Sequence, residues 1–213
     1  MKIKLTKPQT KIFKSKSRFT TAICGRRFGK TFLAIVKLLT WANKKGIYWY
    51  VAPTYRMAKQ IAWRDLLEIA GSTGMIVKKN EQDLSIELSN GSIIALRGAD
   101  NPDSLRGVSL SGLVMDEFAF IDEKAWTFVL RPACADNLAP VLFISTPAGW
   151  NWAKDVYDKG AIHNDQYSSF MYTTADGGNV HQSELEAAKK DLPEMVYKQE
   201  YMASFEMLAN RVY

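Results

Sequence analysis

The chain has 213 residues, a formal net charge of +6, 47% hydrophobic and 23% charged side chains, an ordinary globular balance that is large enough for one domain, or one domain with a small appendage, around a sizeable core. No apolar run approaches the ~18 residues of a bilayer span, Pro8 and Gln9 follow the basic N-terminus where a signal peptide would turn apolar, and Cys24 and Cys134 are too far apart for a close-spaced metal pattern. The charge is also unevenly placed: residues 1–64 carry 16 Lys and Arg and no acid, whereas the remainder carries 12 basic and 22 acidic side chains.

In chain order, Phe19 to Cys24 reads as a strand, followed by a Gly-flanked basic loop and a helix from Lys30 to Ala42. Gly46 to Ala52 is a second strand ended by Pro53, and Tyr55 to Ala70 a helix. Met75 to Lys79, Leu84 to Leu88 and Ile93 to Arg97 are shorter strands, with Asn90-Gly91 a hairpin turn between the last two. Gly112 to Asp116 is an apolar strand ending in acid, and Asp122 to Arg131 a helix that Pro132 should stop. Pro140 to Thr146 is a third buried strand. Trp152 to Ala161 reads as a helix, Tyr167 to Thr173 as a last strand and Asp176-Gly177-Gly178-Asn179 as a loop. Ser183 with Glu186 makes a capping pattern, and Pro193 suits the first turn of another helix. Alternating strands and helices predict an α/β fold with a mainly parallel sheet. The expected division is a core over residues 1–160 and a small helical lid or linker over 161–213. Most of the six Trp and nine Tyr are expected to be core residues. His163 and His181 are isolated and receive no role, and two distant cysteines suit reduced thiols in a cytosolic compartment.

Two segments carry chemistry. In Cys24-Gly25-Arg26-Arg27-Phe28-Gly29-Lys30-Thr31 the glycines allow backbone N–H groups to curl around phosphate oxygens. Lys30 can reach β and γ phosphates, and the Thr31 hydroxyl suits Mg²⁺. The following helix would aim its positive end at the same anion. The spacing is one residue short of the usual Walker A pattern, because Cys24 stands where the first glycine is expected. The second segment, Leu113-Val114-Met115-Asp116-Glu117, resembles a Walker B strand. Its carboxylates would lie at the C-terminal edge of the sheet, where open α/β folds bind ligands. Asp116 is placed to hold the hydrated Mg²⁺ and Glu117 to polarise an attacking water. Together they predict an ATP and Mg²⁺ site on a P-loop NTPase of the RecA/ASCE kind.

Several separated segments resemble the large terminase subunits of tailed bacteriophages, ATP-driven motors that push DNA into a preformed capsid. They are Pro8-Gln9, the loop from Gly25 to Thr31 with its double arginine, Ala52-Pro53-Thr54-Tyr55-Arg56, Ser104-Leu105-Arg106-Gly107, Met115-Asp116-Glu117, Ser145-Thr146-Pro147 and Tyr197-Lys198-Gln199-Glu200-Tyr201. The resemblance implies that Gln9 reads the adenine edge, that Tyr55 packs on the nucleotide or its loop, and that Ser145 and Thr146 sense the γ-phosphate and couple its loss to DNA movement. It also implies that Arg106 is an arginine finger presented to a neighbouring subunit; Arg26 and Arg27 are rivals able to act in cis.

The implied partners are double-stranded DNA, the portal protein, the small terminase subunit and further copies in a ring, expected to be a pentamer, in the host cytoplasm with no membrane. Such proteins continue into a nuclease domain, which would begin near where this chain stops. The expectation is therefore an ATPase half without a nuclease site. Two other readings stay open: a helicase-like DNA translocase, and an assembly module that binds nucleotide without hydrolysing it.

Overall fold

The computed structural model describes residues 3–162 and 165–206; His163 and the last seven residues of the expected lid lie outside them. The chain opens with α1 (Lys7–Phe13), capped at Thr6 by a reciprocal pair in which Thr6 Oγ1 accepts from the Gln9 amide and the Gln9 side chain accepts from Thr6 N. Thr-x-x-Gln with proline near the start is a strong helix-start signal. β1 (Phe19–Cys24) leads through the basic loop into α2 (Lys30–Trp41). Lys37 ties α1 to α2 by donating to the carbonyls of Phe13 and Ser15.

β2 (Ile47–Ala52) is followed by α3 (Tyr55–Ala58), which runs through a π-helical turn at residues 59–63 into α4 (Arg64–Gly71). Then come β3 (Ile76–Asn80), β4 (Ser85–Leu88), β5 (Ile93–Gly98) and β6 (Gly112–Asp116). α5 (Glu123–Ala125) passes through a second π-helical stretch into α6 (Arg131–Ala133). β7 (Val141–Ser145), α7 (Trp152–Ala161), β8 (Tyr167–Tyr172), α8 (Thr174–Gly177), α9 (Gln182–Asp191) and α10 (Glu194–Met202) complete the order.

The strands form one sheet in the order β3-β4-β5-β2-β6-β7-β1-β8. β3, β4 and β5 pair antiparallel and every other neighbouring pair is parallel. β1, β6 and β7 are buried along their whole length, as central strands covered on both faces require. Period-two alternation divides the core. Ala22, Cys24, Tyr48, Tyr50 and Val114 pack on the side of α2 and α4, while Phe19, Ile23, Trp49, Val51, Met115 and Phe143 pack with Trp126 and Trp152 on the other. Trp150 departs from the expected core role and is exposed.

Four local expectations need correction. Pro132 does not stop its helix, which continues to Ala133. The carbonyl of Phe128, whose i+4 donor the proline lacks, accepts instead from Arg106 Nη1 at 3.2 Å. Asp176 and Gly177, expected in a loop with Gly178 and Asn179, instead end α8, which is held by a capping box between Thr173 and Asp176, and the loop begins only at Gly178. The cap of α9 is His181, whose Nδ1 accepts from Ser183 N, so Ser183 lies inside the helix instead of capping it. Pro193 is the residue before α10 rather than within its first turn. β8 is bonded to β1 along its length, so the sheet continues past residue 160 and the helical cover begins after Tyr172.

Candidate functional site: a phosphate loop facing two carboxylates

β7 lies between β1 and β6, which brings the ends of all three strands to one edge of the sheet. The loop leaves β1 there, with Arg27 at φ +61° and Gly29 at φ +91°. Gly29 needs its lack of a side chain, since a Cβ would come within 2.6 Å of Gln9 Nε2.

The loop's carbonyls are taken by the layers around it. Thr174 Oγ1 donates to Arg26 O at 2.8 Å, and Asn179 Nδ2 to Arg27 O and Phe28 O at 3.0 and 3.2 Å. Gln9 Nε2 donates to Phe28 O and Gly29 O, both at 3.3 Å. Four consecutive acceptors are thus turned toward protein donors, which suits a bend whose other face must attract an anion. From α10, Glu200 O accepts from Arg26 N at 2.7 Å and its carboxylate pairs with the Arg26 guanidinium. That pairing is the main cause holding Arg26 above the usual arginine range.

Lys30, only 8% exposed, folds back so that Nζ donates to Cys24 O at 3.1 Å and Gly25 O at 3.4 Å and stands 3.8 Å from Glu117 Oε1. Thr31 Oγ1 donates to Asp116 Oδ2 at 3.2 Å, and the Tyr50 hydroxyl donates to the same oxygen. Glu117 N donates to Asp116 Oδ1 at 2.8 Å. Burial, with the neighbouring charge of Glu117 second, pushes the Asp116 carboxyl up to about 6.

Glu117 sits at φ +49° and ψ +41°, a left-handed conformation that is uncommon for a side chain of this size. Its Oε2 accepts from Ser145 Oγ, Thr146 N and Thr146 Oγ1 at 3.1, 3.2 and 3.3 Å. A cavity of about 490 Å³ lies over this cluster, lined by Arg26 to Phe32, Ile61, Asp65 and Glu117.

The structure therefore brings together Gly25, Arg26, Arg27, Phe28, Gly29, Lys30, Thr31, Asp116, Glu117, Ser145 and Thr146. Gln9 joins them as a brace. At 4% exposure, with its amide engaged on the loop and on Thr6, it would have to release those partners to read a base. Tyr55 stands apart, its hydroxyl donating to Gln82 O at 2.6 Å in the β3–β4 turn. Arg106 belongs to another surface, where Nε donates to Asp103 Oδ1 at 2.8 Å and Nη1 reaches Phe128 O.

Sequence reasoning missed Tyr50, Thr174 and Asn179. Asn179 follows a glycine pair and could have been noted as a turn residue free to cap carbonyls. No local signal marks Tyr50, which meets Asp116 only through strand register.

The oxygen donors of Thr31 and Asp116 fit Mg²⁺, which keeps waters and phosphate oxygens in its shell and needs only one or two protein ligands. Among the described residues there is no cluster of three His, Cys, Asp or Glu able to hold a metal alone.

A glycine-bent loop, an adjacent Asp-Glu pair and a strand inserted between their two strands define a P-loop NTPase of the ASCE division. The chain belongs to the large terminase subunit family: residues 22–213 match the family described as terminase large subunit, T4likevirus-type, N-terminal. It is 33% identical over 204 residues to the terminase large subunit of Escherichia phage T5, covering 92% of this chain and 46% of that protein. Among solved structures, the large terminase ATPase domain of Thermus phage P74-26 superposes with a TM-score of 0.82 at 25% identity, covering 95% of this chain and 94% of that one. A large terminase from a thermophilic bacteriophage, solved in complex with ATP-gamma-S, shares the fold, with a TM-score of 0.80 at 20% identity over 95% of this chain and 53% of that one. The chain spans about half the length of the curated relatives it matches, 46% and 49% for the first two. Among the described residues no helix is long and apolar enough to cross a membrane.

Proposed function

We infer that this chain is the ATPase part of a viral DNA-packaging motor, hydrolysing ATP with Mg²⁺ to advance double-stranded DNA into a procapsid. The observation that carries this reading is the single cluster in which Lys30 and Thr31 face Asp116 and Glu117, while Glu117 is also bonded to Ser145 and Thr146.

Lys30, which lines the cavity, would move its Nζ from the Cys24 and Gly25 carbonyls to the β and γ phosphates. Thr31 and Asp116 would hold Mg²⁺, which neutralises charge on the β and γ oxygens. Glu117 orients water for in-line attack on the γ-phosphate and receives its proton. The same carboxylate is the acceptor for Ser145 and Thr146, so a change in its charge or position is felt at the end of β7 in one step. This supports the coupling role of those two residues.

Arg106 is proposed as the trans finger. It is exposed on a turn between β5 and β6, and none of its described partners belongs to the phosphate loop, as a residue serving a neighbour requires. A ring of subunits, the portal protein, the small terminase subunit and a place in the host cytoplasm follow from family membership and are proposals of the same standing. The cover formed by α8, α9 and α10 is proposed as the lid.

The test is Glu117→Gln. Nucleotide binding should persist while phosphate release falls by at least ~100-fold, the usual worth of a positioned base. Unchanged release would return the chain to the class of non-hydrolysing assembly modules.

A further inference from the structure

Asp116 is 1% exposed, and a carboxylate so buried is aimed only by the groups that bond to it. Oδ1 is fixed by its neighbour's backbone, through Glu117 N at 2.8 Å. Oδ2 has two side-chain donors, Thr31 Oγ1 at 3.2 Å and the Tyr50 hydroxyl. These donors are not equivalent. The Thr31 oxygen is itself a prospective metal ligand, so its position depends on what occupies the site.

Tyr50 has no such second duty. It is fully buried in the middle of β2, the strand beside β6, with Tyr50 opposite Val114 and Val51 opposite Met115. Alternation puts Tyr50, Val114 and Asp116 on one face of the sheet, and the tyrosine reaches diagonally along that face from the level of Val114 to the acid two residues on. An aromatic ring buried in the same core cluster as Leu33, Leu38 and Val114 has few rotamers open to it, and its hydroxyl, which also lies against the Thr31 side chain, donates to Oδ2.

We propose that Tyr50 is a positioning residue for the metal site, holding the Asp116 carboxylate in the orientation that a divalent cation requires. The assignment rests on the nucleotide-site reading above. It adds a residue from a strand that carries none of the motif, and it assigns the hydroxyl a purpose beyond satisfying its own burial. Groups outside the ligand set that orient a ligating carboxylate contribute to metal affinity in their own right.

Tyr50→Phe removes one oxygen and keeps the ring. In wild-type protein, affinity for a fluorescent non-hydrolysable ATP analogue should rise as Mg²⁺ is titrated in. In Tyr50→Phe the affinity with excess EDTA should stay within about twofold, and the Mg²⁺ concentration giving half of the rise should increase by roughly tenfold. An Asp116→Asn background should erase that difference, since two residues acting through one contact are not additive. Thermal unfolding of each variant identifies any general loss of packing. An unchanged Mg²⁺ midpoint in a folded Tyr50→Phe protein, or a tenfold shift that persists in Asp116→Asn, overturns the assignment of Tyr50 alone. If wild-type protein shows no Mg²⁺-dependent binding at all, the nucleotide-site reading falls with it.

Discussion

The edge where β1, β6 and β7 end and the turn that carries Arg106 are built on opposite plans. At the sheet edge the lysine and the aspartate are sunk, cross-bonded and held from more than one element: Lys30 is 8% and Asp116 1% exposed. The Arg106 side chain is 56% exposed, and its carboxylate partner, Asp103, is 82% exposed and three residues away. Buried, mutually bonded groups can bind and orient a ligand without help. An arginine resting on a neighbouring acid and a proline-freed carbonyl is free to leave both when a stronger anion arrives, because exposed ion pairs are weak.

The largest effect that would separate the two regions is kinetic. Arg106→Ala should lower ATP turnover of the assembled motor by about 10³-fold, the low end for a transition-state arginine, and leave nucleotide affinity of the isolated chain within about twofold. A single-turnover assay beside an equilibrium titration reads both, and full turnover in the assembled mutant would assign Arg106 to the surface.

Next comes the sterically packed side of the loop. A Cβ at Gly177 would lie 2.7 Å from Phe28 Cα, a backbone contact that cannot yield cheaply. Gly177→Ala should push the cover off the loop, costing stability by roughly 1–3 kcal/mol and weakening nucleotide binding. Asn179→Ala, which uncaps Arg27 O and leaves Phe28 O to Gln9 alone, should do less, about 1 kcal/mol in chemical unfolding.

The buried edge should also respond to pH. Because burial raises the Asp116 carboxyl to about 6, the folded protein holds that proton more tightly than the unfolded chain does. The resulting stabilisation is complete below about pH 4, and is lost as pH rises through about 6. Asp116→Asn should therefore unfold at a higher temperature than wild type at pH 8, by roughly 2–4 °C per kcal/mol recovered, with the advantage shrinking toward pH 4. The last test is Asp103→Ala. Loss of that exposed partner of Arg106 should change stability by less than about 1 kcal/mol, the smallest effect of the set.

The parts of this molecule that could be read in one dimension are those whose logic is local. Gly29-Lys30-Thr31 and Asp116-Glu117 are short runs in which composition and order already state the chemistry, and the apolar character of β1, β6 and β7 declares their burial. The brace around the loop could not be read that way. Gln9, Thr174, Asn179 and Glu200 converge on four residues from opposite ends of the chain, and nothing in their own neighbourhoods says that they meet at the loop. Local reasoning also fails where two local signals compete. Ser183 with Glu186 has the pattern of a helix start, yet His181 supplies the cap two residues earlier. Pro132 has the chemistry of a stop, yet a π-helical stretch precedes it and Arg106 takes the Phe128 carbonyl it frees.

The left-handed backbone at Glu117 has a consequence for adaptation. Glycine or asparagine would adopt φ +49° and ψ +41° at lower cost, so a library screened only for heat resistance should drift toward them at this position. The same library screened for phosphate release should keep the glutamate. Position 117 is where endurance and work select in opposite directions, and the tension is written in the main chain before any substrate is present.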